Sequence, residues 1–150
     1  MKTVLFLCTG NYYRSRFAEE VFNHLAERSG LDWRAQSRGL ALERGVDNVG
    51  PISTFVETAL KARDIPVVGI ERMPSSCAAS DLEVADLVIA LHEDEHRPLM
   101  IERFPIWDRS VEYWRVPDTD LLAPDIALPS IEKQVNLLVA RLRDRDRLGA

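Results

Sequence analysis

Cys8-Thr9-Gly10-Asn11-Tyr12-Tyr13-Arg14-Ser15 has residue types and a spacing suited to phosphate capture: a cysteine, five residues, then an arginine and a serine. A loop that closes onto a helix N-terminus aims several backbone N–H groups at one point, and the helix dipole adds partial positive charge there. Arg14 adds a planar fork that matches two phosphoryl oxygens. Cys8 at the floor of such a cradle is held as a thiolate by the same groups and armed as a nucleophile. Ser15 can donate a hydrogen bond to the sulfur or cap the helix. Gly10 can take a positive φ and Asn11 tolerates one, so the pair suits a sharp bend. The competing reading is a small buried cysteine at a strand end, with Tyr12 and Tyr13 as core. An apolar strand before the loop, an amphipathic helix after it and Gly-Asn inside it favour the catalytic reading.

The flanking pattern supplies the elements that would hold this loop. Thr3 to Leu7 is almost continuously apolar, as in a parallel strand covered on both faces. Ala18, Val21, Phe22 and Leu25 recur on one face of a helix that ends near Gly30. Trp33 to Ser37 suits a second strand, and Leu40 to Pro51 a loop. Ser53 or Thr54 opens the next helix, and Thr54-x-x-Glu57 and Ser80-x-x-Glu83 match capping boxes for two further helices. Ala85 to Leu91 reads as an interior strand and Tyr113 to Val116 as the last one. A final helix is expected from Ser130, with Ile131, Val135, Leu138 and Leu142 inward and a frayed end from Arg141 to Ala150. Strands alternate with helices, with no internal repeat and no linker. The prediction is an α/β three-layer sandwich: a four-stranded parallel sheet with helices on both faces, in a single domain over residues 1–150. Ligands of such sheets sit at the carboxyl ends of the strands, where both Cys8 and Asp118 fall.

His92-Glu93-Asp94-Glu95-His96 fits the His-Glu-x-x-His pattern of zinc proteases, which needs both histidines on consecutive turns of one helix. Pro98 opposes that, because proline is tolerated only near a helix start. The helix is therefore expected to begin near Glu95 or Arg97, leaving the histidines in a solvated corner and no metal site.

The net charge of −5 disfavours a nucleic-acid partner. The two cysteines, Cys8 and Cys77, form no disulfide framework and no metal-type cluster. A free reactive thiol and an apolar start far below membrane length lead to the expectation of a cytoplasmic protein.

The stretch from Val4 to Glu19, VLFLCTGNYYRSRFAE, resembles the low-molecular-weight protein tyrosine phosphatases, which run an N-terminal strand into a Cys-x5-Arg-Ser loop with Gly-Asn after the cysteine. The resemblance implies a cysteine-dependent phosphatase that hydrolyses phosphotyrosine, in a protein or a small phosphate ester, through a phosphocysteine intermediate. It implies no cofactor, and a monomer is expected. Cys8 and Arg14 become catalytic, and Thr9, Gly10, Asn11, Tyr12, Tyr13 and Ser15 the phosphate-binding loop. Ser37, followed one residue on by Gly39, becomes the serine that supports the loop asparagine. The general acid falls on Asp118, with Asp120 as the alternative, because Thr119 and Asp120 replace the family's proline and aromatic residue. Tyr13 stands where many members carry a second cysteine, which closes that route to a protective disulfide. Arg16 replaces the proline after Arg-Ser, and Tyr12 can supply a wall for the substrate ring. A non-catalytic phosphate- or phosphoprotein-binding module and an arsenate reductase on the same fold remain alternatives.

Overall fold

The computed structural model describes residues 1–149. Strand β1 (Lys2–Cys8) lies inside a parallel sheet with β2 (Trp33–Gly39), β3 (Leu87–Ala90) and β4 (Glu112–Tyr113), in the order β2-β1-β3-β4. Val4 to Cys8 are all buried because neighbouring residues serve opposite faces. Val4 and Phe6 pack with Phe17, Val21 and Phe22 of α1 (Arg14–Ser29) and Ile131, Val135 and Leu138 of α5 (Pro124–Leu148). Leu5 and Leu7 pack with Leu82 of α3 (Ala79–Val84) and Leu99 and Met100 of α4 (Glu93–Arg103). Helix α2 (Thr54–Ala62) adds Val56 and Leu60 to the first layer. The predicted three-layer α/β sandwich is the observed one.

Several boundaries differ from expectation. Of the two candidate openers of α2, Ser53 caps it and its hydroxyl accepts from the Phe55 N–H, so the Thr54-x-x-Glu57 capping box is not used. At α3 the reciprocal bond runs from the Ala78 N–H to Asp81, so Ser80 lies inside the helix. Strand β4 is only two residues long, but the chain keeps tracking β3: Trp114 donates to Ala90 and Val116 to Leu91. Helix α5 starts at Pro124 rather than Ser130. Pro124 fits the first helical position, where its missing N–H has no intrahelical partner to lose. The helix also continues past Arg141, held by buried Leu142 and by Trp33 Nε1 donating to Asp146 at 3.2 Å.

Candidate active site

Three carbonyls of the β1–α1 loop are drawn away from its concave side. Cys8, Thr9 and Tyr12 accept from the N–H groups of Leu40 (2.8 Å), Ala41 (2.9 Å) and Ser53 (3.0 Å). Among the described residues, the backbone N–H groups of residues 9–16 find no acceptor. Such an array, ending on the N-terminus of α1, forms a positive concavity for an oxyanion. Within the expected Gly10-Asn11 bend, the left-handed conformation falls on Asn11 (φ 50°). Asparagine tolerates that conformation, and its amide is locked in place. Asn11 Nδ2 donates to Ser15 Oγ and Ser37 Oγ, both at 2.9 Å, while Oδ1 accepts from the Ser75 N–H at 3.0 Å. Gly39 passes so close beneath that a Cβ there would sit 2.9 Å from the Thr9 carbonyl oxygen.

Cys8 Sγ lies 2.9 Å from Ser15 Oγ. The Ser15 hydroxyl already accepts from Asn11, which leaves its own proton free for the sulfur. Cys8 lines a cavity of about 260 Å³ together with Gly10, Tyr12, Arg14, Phe55 and Asp118. Tyr12 forms part of the wall and is tied by its hydroxyl to the Val49 carbonyl at 2.6 Å. Asp118 Oδ2 lies 3.6 Å from an Arg14 terminal nitrogen, and its Oδ1 accepts from the Thr119 N–H at 2.8 Å. Thr119 lines the cavity as well, whereas Asp120 does not. Cys77 lies outside the lining, half-buried, and both cysteines are free. Burial, then the charge of Asp81, pushes the Cys77 thiol up to about 12.

Arg14 is almost fully buried, and its charge is met by groups that the sequence reading did not assign. One terminal nitrogen donates to Glu95 Oε1 at 3.1 Å and to the Val116 carbonyl at 2.9 Å; the other donates to Glu95 Oε2 at 2.7 Å. Burial opposes the charge on Arg14, but the Glu95 hydrogen bond, then the charges of Cys8, Glu95 and Asp118, outweigh it. Glu95 comes from the HEDEH stretch read as a solvated corner. Helix α4 begins at Glu93, so His92 is its N-cap and Glu95 and His96 stand in its first turns. His96 is fully buried. With that start, Pro98 lies inside the helix, where it can donate no hydrogen bond to the Asp94 carbonyl one turn earlier. Among the described residues no group of three or more His, Cys, Asp or Glu is arranged to hold a metal ion. The sequence signal for this support was the acidic first turn placed directly after β3, at the carboxyl edge of the sheet.

Arg72, from the segment between α2 and α3, braces the loop from the other side. It donates to Asn11 Oδ1 (3.2 Å), Ser37 Oγ (3.1 Å) and Glu19 Oε1 (3.0 Å). Arg16 is fully buried beneath the loop and donates to the carbonyls of Pro51 (3.3 Å), Arg72 (3.1 Å) and Gly69 (3.4 Å). Glu20, in the same cluster, accepts from the Val68 N–H at 3.1 Å and lies 4.0 Å from Arg16. Burial pushes the Glu20 carboxyl up to about 7, more than its hydrogen bond to Val68 and the charges of Arg16 and Arg72 pull it down. A carboxyl raised in the folded state contributes fully at low pH. That contribution is lost as pH rises from the unfolded value near 4.5 to about 7. Urea melts across this window are therefore expected to show falling stability, and Glu20→Gln should flatten that slope.

Tyr13 also departs from the family pattern. It is 7% exposed, and its hydroxyl is buried without a hydrogen-bond partner among the described residues. Burial, then the charge of Asp118, pushes its phenol up to about 12. Tyr13→Phe keeps the ring and removes an unsatisfied polar atom. It is expected to raise stability by about 1 kcal/mol, read as a higher urea midpoint at unchanged slope.

Residues 3–118 match the family described as low molecular weight phosphotyrosine protein phosphatase. The protein-arginine-phosphatase of Bacillus subtilis (strain 168) is 29% identical over 101 residues, 67% of this chain and 62% of that protein. The matched stretch thus spans less than two thirds of that relative. A solution structure of a low molecular weight protein tyrosine phosphatase from Bacillus subtilis is 26% identical, with a TM-score of 0.75 over 97% of this chain and 99% of that one. The crystal structure of YfkJ from Bacillus subtilis superposes with a TM-score of 0.82 at 23% identity, covering 97% of this chain and 96% of that one, and speaks to the fold. By the extent of the family match, the chain belongs to the low molecular weight phosphotyrosine protein phosphatase family.

Proposed function

We propose that this protein is a cysteine-dependent phosphatase that hydrolyses phosphotyrosine in proteins or small esters through a phosphocysteine intermediate. The observation that carries the reading is the cavity where Cys8, Arg14 and Asp118 meet over a loop of unpaired N–H groups. Cys8 Sγ attacks phosphorus in line with the ester oxygen, forming the S–P bond as the P–O bond breaks. The N–H groups of Thr9 to Ser15 receive the equatorial oxygens, whose charge is greatest in the transition state. Glu95 and Val116 take three of the four terminal N–H groups of Arg14, and among the described residues no hydrogen-bond acceptor takes its Nε–H or the remaining terminal N–H. That edge of the fork faces the phosphoryl group. Asp118 gives its proton to the leaving oxygen. It then takes one from the water that attacks the phosphocysteine, and Cys8 leaves as a thiolate bonded to Ser15. No step needs a cofactor.

Asn11, Ser37, Arg72 and Glu19 hold the loop in its binding shape. Tyr12 and Phe55 clamp the planar part of the substrate. The single domain, taken as a cytoplasmic monomer, needs neither nucleic acid nor membrane; no helix among the described residues is long and apolar enough to cross a membrane. A second reading, phosphoarginine as the scissile group, is favoured by the likeness to a protein-arginine-phosphatase. Matched peptides bearing phosphotyrosine or phosphoarginine, assayed with EDTA, test both. Release of phosphate from the first supports the leading reading, and release from the second alone replaces it. No release from either, with phosphate still bound, leaves a binding module.

A further inference from the structure

The HEDEH stretch is not absorbed by the reaction above, yet it supplies the densest hydrogen bonding around Arg14. His96 Nδ1 accepts from the His92 N–H at 3.0 Å, so the proton of the neutral ring sits on Nε2. Burial holds His96 below its usual range, in keeping with a neutral ring. Nε2 lies 3.1 Å from Thr9 Oγ1 and 3.2 Å from Glu95 Oε2. Thr9 in turn donates its hydroxyl proton to Glu95 Oε2. That oxygen also accepts from Arg14, so all its neighbours are donors and only an ionised carboxylate fits. Burial opposes that ionisation, but the bonds from His96, Arg14 and Thr9 overcome it and hold Glu95 well below the usual carboxylate range.

The same Arg14 nitrogen that bonds Glu95 at 2.7 Å has a second carboxylate, Asp118, at 3.6 Å. Asp118 is 46% exposed and ends no comparable network. Two carboxylates therefore compete for one guanidinium, and the pre-ordered one holds it. We infer that Glu95, fixed by His96 and Thr9, is a positioning residue that keeps Arg14 from collapsing onto Asp118, so that the fork stays turned to phosphate and the acid stays free. This rests on the catalytic reading given above. Without Glu95, Arg14 would close the gap to Asp118. One event would then disable both the anion fork and the acid.

A double-mutant cycle separates this role from plain structural support. The purified full chain is titrated with inorganic phosphate by calorimetry, as wild type, Glu95→Gln, Asp118→Asn and the double variant. Glu95→Gln is expected to weaken phosphate binding by about tenfold or more when Asp118 is present, because Arg14, released from its bidentate partner, pairs with Asp118 instead. In the Asp118→Asn background the competing charge is gone, and the same change should weaken binding by less than about threefold. Equal factors in both backgrounds, or unchanged phosphate binding in Glu95→Gln, would overturn the inference. Turnover of a phosphate ester by Asp118→Asn is read separately. Full turnover there defeats the assignment of the acid, not the competition for Arg14.

Discussion

Cys8→Ser abolishes turnover, by at least about 10⁴-fold in kcat, while substrate still binds. The hydroxyl is not ionised at neutral pH, and no general base lies beside Cys8: the neighbouring Ser15 Oγ, at 2.9 Å, is a donor held by Asn11. The N–H array and the Arg14 fork survive the change, so phosphate affinity should stay close to wild type. Stopped assays measure kcat, and acid-quenched protein reports the phosphocysteine, which forms in wild type and not in the variant. Activity that persists in Cys8→Ser would remove the thiolate mechanism altogether.

Asp118→Ala is the second large effect. A positioned acid is worth about 10²–10⁴-fold, and most when the leaving oxygen is a poor leaving group. The loss should therefore be greater for phosphotyrosine than for p-nitrophenyl phosphate, whose nitrophenolate departs with little help. Asp120→Ala should change neither rate by more than about twofold, since the side chain lies outside the cavity lining. Rates measured across a series of aryl phosphates decide the matter. An Asp118→Ala variant with the wild-type dependence on leaving group would move the acid elsewhere.

The legible parts of the sequence were those in which chemistry is local. The strand, loop and helix around Cys8 are contiguous, and their periodicity and turn residues mark each boundary. The sheet was legible because β1 and β3 are apolar runs buried on both faces. Glu95 and Arg72 were not legible as site residues. Each reaches the loop across a long separation, Glu95 by 81 residues and Arg72 by 61, and each sits in a stretch whose local pattern suggests solvent. Their partners are fixed by packing of α4 and of the 69–75 segment, which no local period encodes. Pro98 misled as well, since it lies inside α4 instead of marking its start. Asn11 takes the left-handed backbone within the Gly10-Asn11 pair because four separate bonds to its amide reward that orientation.

Arg16 carries one more consequence. A single guanidinium tethers Pro51, between the cavity-lining Asn48 and Ser53 that serve as the rim, to Gly69 and to Arg72, which holds the floor through Asn11. Rim and floor therefore share a common hinge pin. Any change that slackens it widens the mouth and unsettles the cradle together, so recognition of the substrate body and grip on its phosphate are mechanically geared rather than independently adjustable.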